Sequence, residues 1–278
     1  MTDPEIPGTI GCPYLDHGVG PPVVLVHASV TDHRIWAPHA RRIGQHFRVI
    51  APTQRFFGST PWPDDGRVFS IATHAVDLAE FIRALEIEPV SMVGWSYGAA
   101  VCLMMAATRP ELVRRLVLYE PAISSFVNAP ADAQAASADR VVMTAPARAQ
   151  ISLGDPVTAV PLFMDGVNDQ SGAFTGLLPR VQQIMFDNSH TLPLLFDAPV
   201  PALGCHELEP LEQTSVVVAH GDATRTFYRI SAEWTAMCAP GSTLVRVSGA
   251  RHLFPVEDDT RFADLILQLV GTSRDASE

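Results

Sequence analysis

Short apolar runs alternate with segments of helical periodicity in the first part of this chain. Residues 23–26 form a continuous apolar run after two prolines, which is typical of a strand buried on both faces. Residues 77–85 place apolar side chains at helical spacing, and a second apolar run follows at 90–93. Strands that alternate with helices of this length form parallel sheets with two covered faces, so the pattern predicts an α/β fold.

The same alternation continues to residue 119 and returns after residue 214. We predict further helices at 35–47, 99–107, 229–237 and 260–270, and further strands at 48–51, 116–119, 215–219 and 244–247. These elements suffice for one doubly wound, mostly parallel sheet.

Between residues 121 and 210 the alternation stops. Ten of the chain's 23 prolines fall there, and an interior proline removes a helical hydrogen bond, so we expect short and interrupted helices. The simplest organisation is a core of residues 1–122 and 214–278. The insertion at residues 123–213 would then form a helical lid over the carboxyl edge of the sheet.

The chain is acidic. All 19 basic residues are arginine, and against 30 acidic residues they leave a net charge of −11. Such a chain repels phosphate backbones and anionic lipid surfaces, so we expect neither nucleic acid nor membrane as a partner. The sequence leaves open whether the chain is a monomer or a homodimer.

The cysteines lie far apart, without the close pairs of metal sites and redox dithiols: Cys12, Cys102, Cys205 and Cys238. We therefore expect four free thiols in a reducing cytosol. The first residues lack the basic start and apolar run of a signal peptide, and no apolar stretch approaches the roughly 20 residues that span a bilayer. These features predict a soluble, cytoplasmic protein.

The strongest functional signal is Gly-Trp-Ser-Tyr-Gly at residues 94–98, between a predicted strand and an alanine-rich helix. In a G-x-S-x-G elbow, the serine occupies a strained turn that exposes its hydroxyl at the sheet edge, and the glycines avoid collisions with neighbouring backbone. The alternative is a plain glycine-rich turn. The placement favours Ser96 as a nucleophile, with Trp95 and Tyr97 shaping the entrance to the site.

A serine hydroxyl needs a general base at neutral pH, and His252 is the candidate. It follows the last predicted strand and precedes the final helix, which places it at the same sheet edge as the elbow. The oxyanion of acyl transfer needs two backbone donors. We expect these to be the N–H groups of Tyr97 and of Ser29, the latter in the loop after residues 23–26. His27 would brace that loop.

The residues at 27–29, 94–98 and 249–252 together resemble the α/β-hydrolase superfamily, and the resemblance covers nearly the whole chain. The family's His-Gly after the first inner strand is His-Ala here. The resemblance implies the α/β-hydrolase fold with an inserted helical lid and a Ser–His–acid triad.

The third triad residue departs from the usual pattern of the family that the chain resembles. Most members place an aspartate three residues after a glycine that follows the lid, but Gly221 is followed at that distance by Thr224. Two carboxylates compete for the role. Asp222 lies two residues early, and Glu120 ends the strand after the nucleophile helix. Some members, including zearalenone-type lactonases, use an acid at this second position, so the resemblance favours Glu120.

The insertion is rich in apolar side chains with few charges nearby: Phe126, Met143, Phe163, Met164, Phe174, Met185, Phe186 and Phe196. They suit either an apolar pocket or simple packing. We therefore predict a serine hydrolase that cleaves an ester or lactone of a fairly hydrophobic small molecule through an acyl-enzyme, without cofactor or metal.

The sequence also allows other functions. A triad of this kind also serves carbon–carbon bond hydrolases and cofactor-free dioxygenases of the same fold. A non-catalytic ligand-binding member or an interaction scaffold would keep the pocket without turnover.

Overall fold

A seven-stranded sheet forms the centre of the computed structural model, which describes residues 12–59, 62 and 66–271. Its strands are β1 (Tyr14–His17), β2 (Pro22–Val26), β3 (Arg48–Pro52), β4 (Val90–Trp95), β5 (Val113–Tyr119), β6 (Ser215–Gly221) and β7 (Thr243–Val247). The spatial order is β1-β3-β2-β4-β5-β6-β7, and only β1 runs antiparallel to its neighbour. The predicted doubly wound, mostly parallel sheet is thus confirmed. The edge strand β1 was not anticipated from the sequence.

Eleven α-helices surround the sheet in the described part of the chain. They are α1 (Ala37–Ile43), α2 (Ile71–Ala84), α3 (Tyr97–Thr108), α4 (Pro130–Ser152), α5 (Pro156–Asn168), α6 (Ala173–Gly176), α7 (Pro179–Asp187), α8 (Thr191–Asp197), α9 (Thr226–Cys238), α10 (Phe254–Glu257) and α11 (Asp259–Gly271). Short 3-10 helices occupy His33–Trp36, Pro110–Leu112 and His206–Gln213. Of the helices described, none combines the length and apolar character that crossing a bilayer requires.

The central strands are covered on both faces, as their continuous apolar runs predict. The side chains of residues 23–26 are fully buried, and α3 is buried along nearly its whole length because it packs between the sheet and α2. The predicted helix at 77–85 begins earlier, at Ile71. Ser70 caps it, since the Ser70 hydroxyl accepts the N–H of Thr73 at 3.0 Å. The predicted helix at 35–47 is shorter: it begins as a 3-10 turn and ends at Ile43.

In the sequence, the helices α4 to α8 come between β5 and β6, which are neighbours in the sheet. The expectation that helices here are short and interrupted is wrong for α4, which runs for 23 residues and contains Pro146. Several prolines of the insertion stand in the first turn of a helix, as Pro130, Pro156 and Pro179 do. The N–H groups of a first turn have no intrahelical acceptor, so these prolines start helices and do not break them.

Two of the cysteines are joined. Cys205 and Cys238 form a disulfide with their Cα atoms 4.8 Å apart, so the expectation of four free thiols is wrong for this pair. The two cysteines are 33 positions apart in the sequence, and they meet only because the end of the insertion packs against α9. Cys12 and Cys102 are free and buried.

Candidate active site

Ser96 stands at the junction of β4 and α3 in a backbone conformation that is unusual for a residue with a side chain. Its φ and ψ are 55° and −114°. The N–H of Ser96 donates to the carbonyl of Tyr119 at 2.9 Å, which ties the turn to the next strand. This strained conformation is the one that the elbow pattern predicts.

Gly94 and Gly98 leave room for this turn. A methyl group at position 94 would overlap the backbone of Ala99, and one at position 98 would overlap the carbonyl oxygens of Val26 and His27. The first glycine therefore lets the helix approach its own strand, and the second lets the helix approach β2.

We expect Gly98→Ala to lower the free energy of unfolding by about 3 kcal/mol, because the added methyl group must displace the backbone of β2. Chemical denaturation measures the change. Gly176→Ala is the matched control, since a methyl group there meets no atom within 4 Å. Equal stability of the two variants would contradict the proposed close contact.

The structure brings together the three side chains predicted for the triad. His252 Nε2 lies 2.9 Å from Ser96 Oγ, and His252 Nδ1 lies 2.7 Å from Glu120 Oε2. All three are buried, and Glu120 is fully so. Water is thus largely excluded from this line of hydrogen bonds, which strengthens each electrostatic interaction along it.

The Glu120 carboxylate is held on both oxygens. Its Oε1 accepts the N–H of Gly221 at 2.9 Å, and its Oε2 accepts the hydroxyl of Thr224 at 2.9 Å as well as the imidazole of His252. Thr224, the residue that replaces the expected aspartate, thus donates to the acid on the neighbouring strand. Asp222 lies outside this group, because its carboxylate accepts the N–H of Gly249 at 2.7 Å in an exposed turn.

The loop that carries His252 is anchored at three consecutive residues. Tyr119 donates its hydroxyl to the Arg251 carbonyl at 2.7 Å, and the indole of Trp95 donates to the His252 carbonyl at 3.0 Å. Asn168 accepts the N–H of the following residue, Leu253, at 2.9 Å. Trp95 therefore faces the histidine loop and is almost fully buried, so the expectation that it shapes the entrance is wrong.

The two predicted oxyanion donors lie at the same edge. Tyr97 is the first residue of α3, where a helix has no acceptor for its N–H, and Ser29 follows β2 and lines the cavity beside Ser96. His27 braces this loop as expected: its Nε2 accepts the N–H of Gln54 at 3.0 Å, and its Nδ1 contacts the Ala28 carbonyl at 2.8 Å. Burial lowers the pKa of His27 to about 4, so this imidazole is neutral near pH 7.

Tyr228 is a member of the site that the sequence analysis did not find. Its ring lies parallel to that of His252, with centroids 3.6 Å apart and an interplanar angle of 10°. Burial and the charge of Glu120 raise the pKa of Tyr228, and the interaction with the Ser96 hydroxyl acts in the opposite direction. A tyrosine in a helix is usually a core residue, and its only distinguishing signal is its place at the start of α9, next to the loop after β6.

We expect Tyr228→Leu to lower kcat about 30-fold, because the imidazolium formed during catalysis loses the aromatic face beneath it. Tyr228→Phe keeps that face and loses only the hydroxyl, so we expect a decrease of about threefold. Steady-state kinetics on a cleaved ester measures both. Equal losses in the two variants would show that the stacked ring contributes nothing.

A cavity of about 250 Å³ adjoins Ser96. Three of the apolar side chains expected from the insertion line it, namely Met143, Phe163 and Phe196, while others pack elsewhere, such as Phe174 against Phe186. The expectation of few charges needs correction, because the lining also includes two arginines of α4. Their side chains come from a helix whose length the sequence analysis underestimated.

A family model matches part of the chain. The family model for the alpha/beta hydrolase fold matches residues 21–146, which include the elbow and Glu120. The chain is 42% identical over 114 residues to a 2-hydroxy-6-oxo-2,4-heptadienoate hydrolase of Pseudomonas putida. That match covers 40% of this chain and only 41% of the relative.

Solved structures share the fold over almost the whole chain. A bromoperoxidase from Bacillus anthracis has a TM-score of 0.75 at 19% identity, covering 94% of this chain and 95% of its own. A thermophilic esterase from Thermogutta terrifontis has a TM-score of 0.65 at 22% identity, covering 97% and 96% respectively. At these identities, the likeness concerns the fold alone.

Proposed function

We propose that this chain, which has the α/β-hydrolase fold, is a serine hydrolase that cleaves a carboxylic ester or lactone of a fairly hydrophobic small molecule. The observation that carries the proposal is the line of hydrogen bonds from Ser96 through His252 to Glu120, at 2.9 and 2.7 Å. The adjoining cavity offers room for an acyl or alkoxy group, and the fold neighbours include an esterase.

In the proposed reaction, Ser96 Oγ attacks the carbonyl carbon while its proton passes to His252 Nε2. Glu120 keeps the other ring nitrogen protonated and balances the positive charge that forms on the ring. The N–H groups of Tyr97 and Ser29 hold the oxyanion of the tetrahedral intermediate. His252 then returns the proton to the leaving oxygen, and a water molecule activated by His252 hydrolyses the acyl-enzyme.

The insertion supplies much of the cavity wall. The helices α4, α5 and α8 contribute lining residues, and the segment after α8 contributes more. We propose that residues 123–213 act as a lid that selects the substrate and reduces access of water to the acyl-enzyme.

A second candidate reaction is hydrolysis of a carbon–carbon bond. It is favoured by the relative from Pseudomonas putida, which is named as a hydrolase of an oxo-dienoate. The match covers 41% of that protein, so we rank this candidate behind ester or lactone cleavage.

A substrate panel separates the two candidates. We expect Ser96-dependent hydrolysis of nitrophenyl esters with medium-length acyl chains, or of lactones, and little cleavage of an oxo-dienoate ring-fission product. Cleavage of the dienoate alone would replace the ester proposal by the carbon–carbon one. Absence of Ser96-dependent turnover of all three classes would overturn both.

A further inference from the structure

The cavity beside Ser96 has an uneven charge. Among the described residues that line it, Arg140 and Arg148 carry positive charge, and no lining residue is an aspartate or glutamate. The whole chain has a net charge of −11, so a wall with only positive groups departs from the average of the molecule. Such a wall attracts anions even when the protein as a whole repels them.

The two arginines project from one face of α4. Positions 140, 144 and 148 are spaced by one helical turn each, and all three residues line the cavity. Arg148 is held at the wall by its hydrogen bond to the Phe196 carbonyl at 3.2 Å and by the Phe196 ring, 4.4 Å below its guanidinium. The positive charge is thus built into the helix that covers the site.

Arg140 has no carboxylate partner among the described residues, although acids are abundant in this chain. The nearest acid in sequence, Asp139, is already committed: it pairs with Arg225 at 2.6 Å and caps the N–H of Phe227 at 3.0 Å. Arg225 also pairs with Asp169 at 3.0 Å. Arg140 is solvent-exposed and therefore accessible to a ligand that enters the cavity.

Arg140 also lines the same cavity as the proposed nucleophile. Its charge is one of those that lower the pKa of Tyr228, against the larger opposing effect of burial, so the guanidinium acts on the side chain that stacks on His252. Tyr228 and Ser96 line the same cavity as Arg140.

From this geometry we infer that the substrate carries a carboxylate, which Arg140 binds at the α4 wall of the cavity, with Arg148 as a second positive group. The inference rests on the proposed function and narrows it to carboxylate-bearing esters or lactones. Arg140 is a specificity-determining residue in this scheme and takes no part in proton transfer. A guanidinium and a carboxylate form a charge-assisted, two-pronged contact, which an uncharged group of the same size cannot replace.

The test compares two ligands that differ only in charge: the nitrophenyl monoester of adipic acid and its uncharged terminal amide. Calorimetry with the Ser96→Ala variant reports binding without turnover. We expect the acid to bind about tenfold more tightly than the amide at low salt, and the difference to shrink in high salt. Adding Arg140→Gln is expected to remove most of this tenfold preference by weakening the binding of the acid, and to leave the binding of the amide unchanged, since Arg148 keeps only a smaller share of the attraction. Arg140→Lys is expected to restore part of the difference.

Arg41→Gln, on the exposed face of α1 outside the cavity, is the matched control and should leave the difference intact. Three results would overturn the anion subsite: equal affinity for acid and amide, no binding of either ligand, or an affinity ratio that Arg140→Gln leaves unchanged. The proposed function fails separately, through loss of Ser96-dependent hydrolysis in the active enzyme. Hydrolysis of both esters with equal kcat/KM would keep the hydrolase and remove the subsite.

Discussion

Replacement of Ser96 by alanine is expected to lower kcat for a cleaved ester by about four to six orders of magnitude. In the proposed reaction, the Ser96 oxygen forms the acyl-enzyme, and an alanine side chain leaves His252 nothing to deprotonate. The oxyanion donors and the cavity persist in the variant, so a small residual rate above the uncatalysed reaction is expected, with KM little changed.

Two measurements test this result. Steady-state kinetics gives kcat and KM, and a fluorophosphonate probe reports the nucleophile directly, because it labels only an activated serine. Ser242→Ala is the matched control: the Ser242 hydroxyl donates to the Ala236 carbonyl at 2.6 Å in a turn remote from the cavity, and we expect full labelling there. Near-normal turnover or labelling in the Ser96 variant would remove the nucleophile assignment and the function that depends on it.

Glu120→Gln is expected to lower kcat by about three to four orders of magnitude, as replacement of the orienting acid does in other serine hydrolase triads. The amide is neutral and cannot balance the charge of a protonated His252. It also has only one acceptor oxygen, whereas the carboxylate accepts bonds on both oxygens, from Gly221 on one and from Thr224 and His252 on the other. The imidazole therefore loses both its charge partner and its fixed orientation.

Asp222→Asn is the matched control, since it also replaces one carboxylate by an amide, and Asp222 follows β6, the strand beside the one that Glu120 follows. Its oxygen can still accept the N–H of Gly249, so we expect kcat within about twofold of the unmodified enzyme. Thermal unfolding of both variants checks that each is folded at the assay temperature. If Asp222→Asn loses activity and Glu120→Gln keeps it, the acid is Asp222, and the loop after β6 must rearrange during catalysis.

The choice between these two acids illustrates the limit of sequence reasoning for this site. Both residues follow a predicted strand, so both belong at the carboxyl edge of the sheet. The order of residues along the chain contains no measure of the lateral distance between the ends of β5 and β6. The structure shows which acid reaches His252. Glu120 has a φ of 46° and its carboxylate lies 2.7 Å from His252 Nδ1, while the Asp222 carboxylate bonds within its own turn.

Other features were hidden for related reasons. Tyr228 reaches His252 because α9 starts next to the loop after β6, and its place in a helix gave no sign of that contact. Interior prolines predict short helices in the insertion, because each removes a helical hydrogen bond, but α4 continues through Pro146. The disulfide and the two arginines that line the cavity both depend on how the insertion packs. Packing between distant segments leaves no local pattern in the sequence.

Local patterns were sufficient where the physics is local. The apolar runs identify the buried strands, and the helical spacing identifies the helices between them. The glycines at 94 and 98 identify a tight turn around Ser96, because neither of these two positions has room for a side chain. These determine the α/β fold and the edge at which chemistry is expected. Only tertiary packing decided which acid meets His252, which ring stacks on it and which charges face the cavity. Each depends on distances between separate segments of the chain; Glu120 and His252, for example, are 132 positions apart. Chain entropy opposes the meeting of such segments until the protein folds.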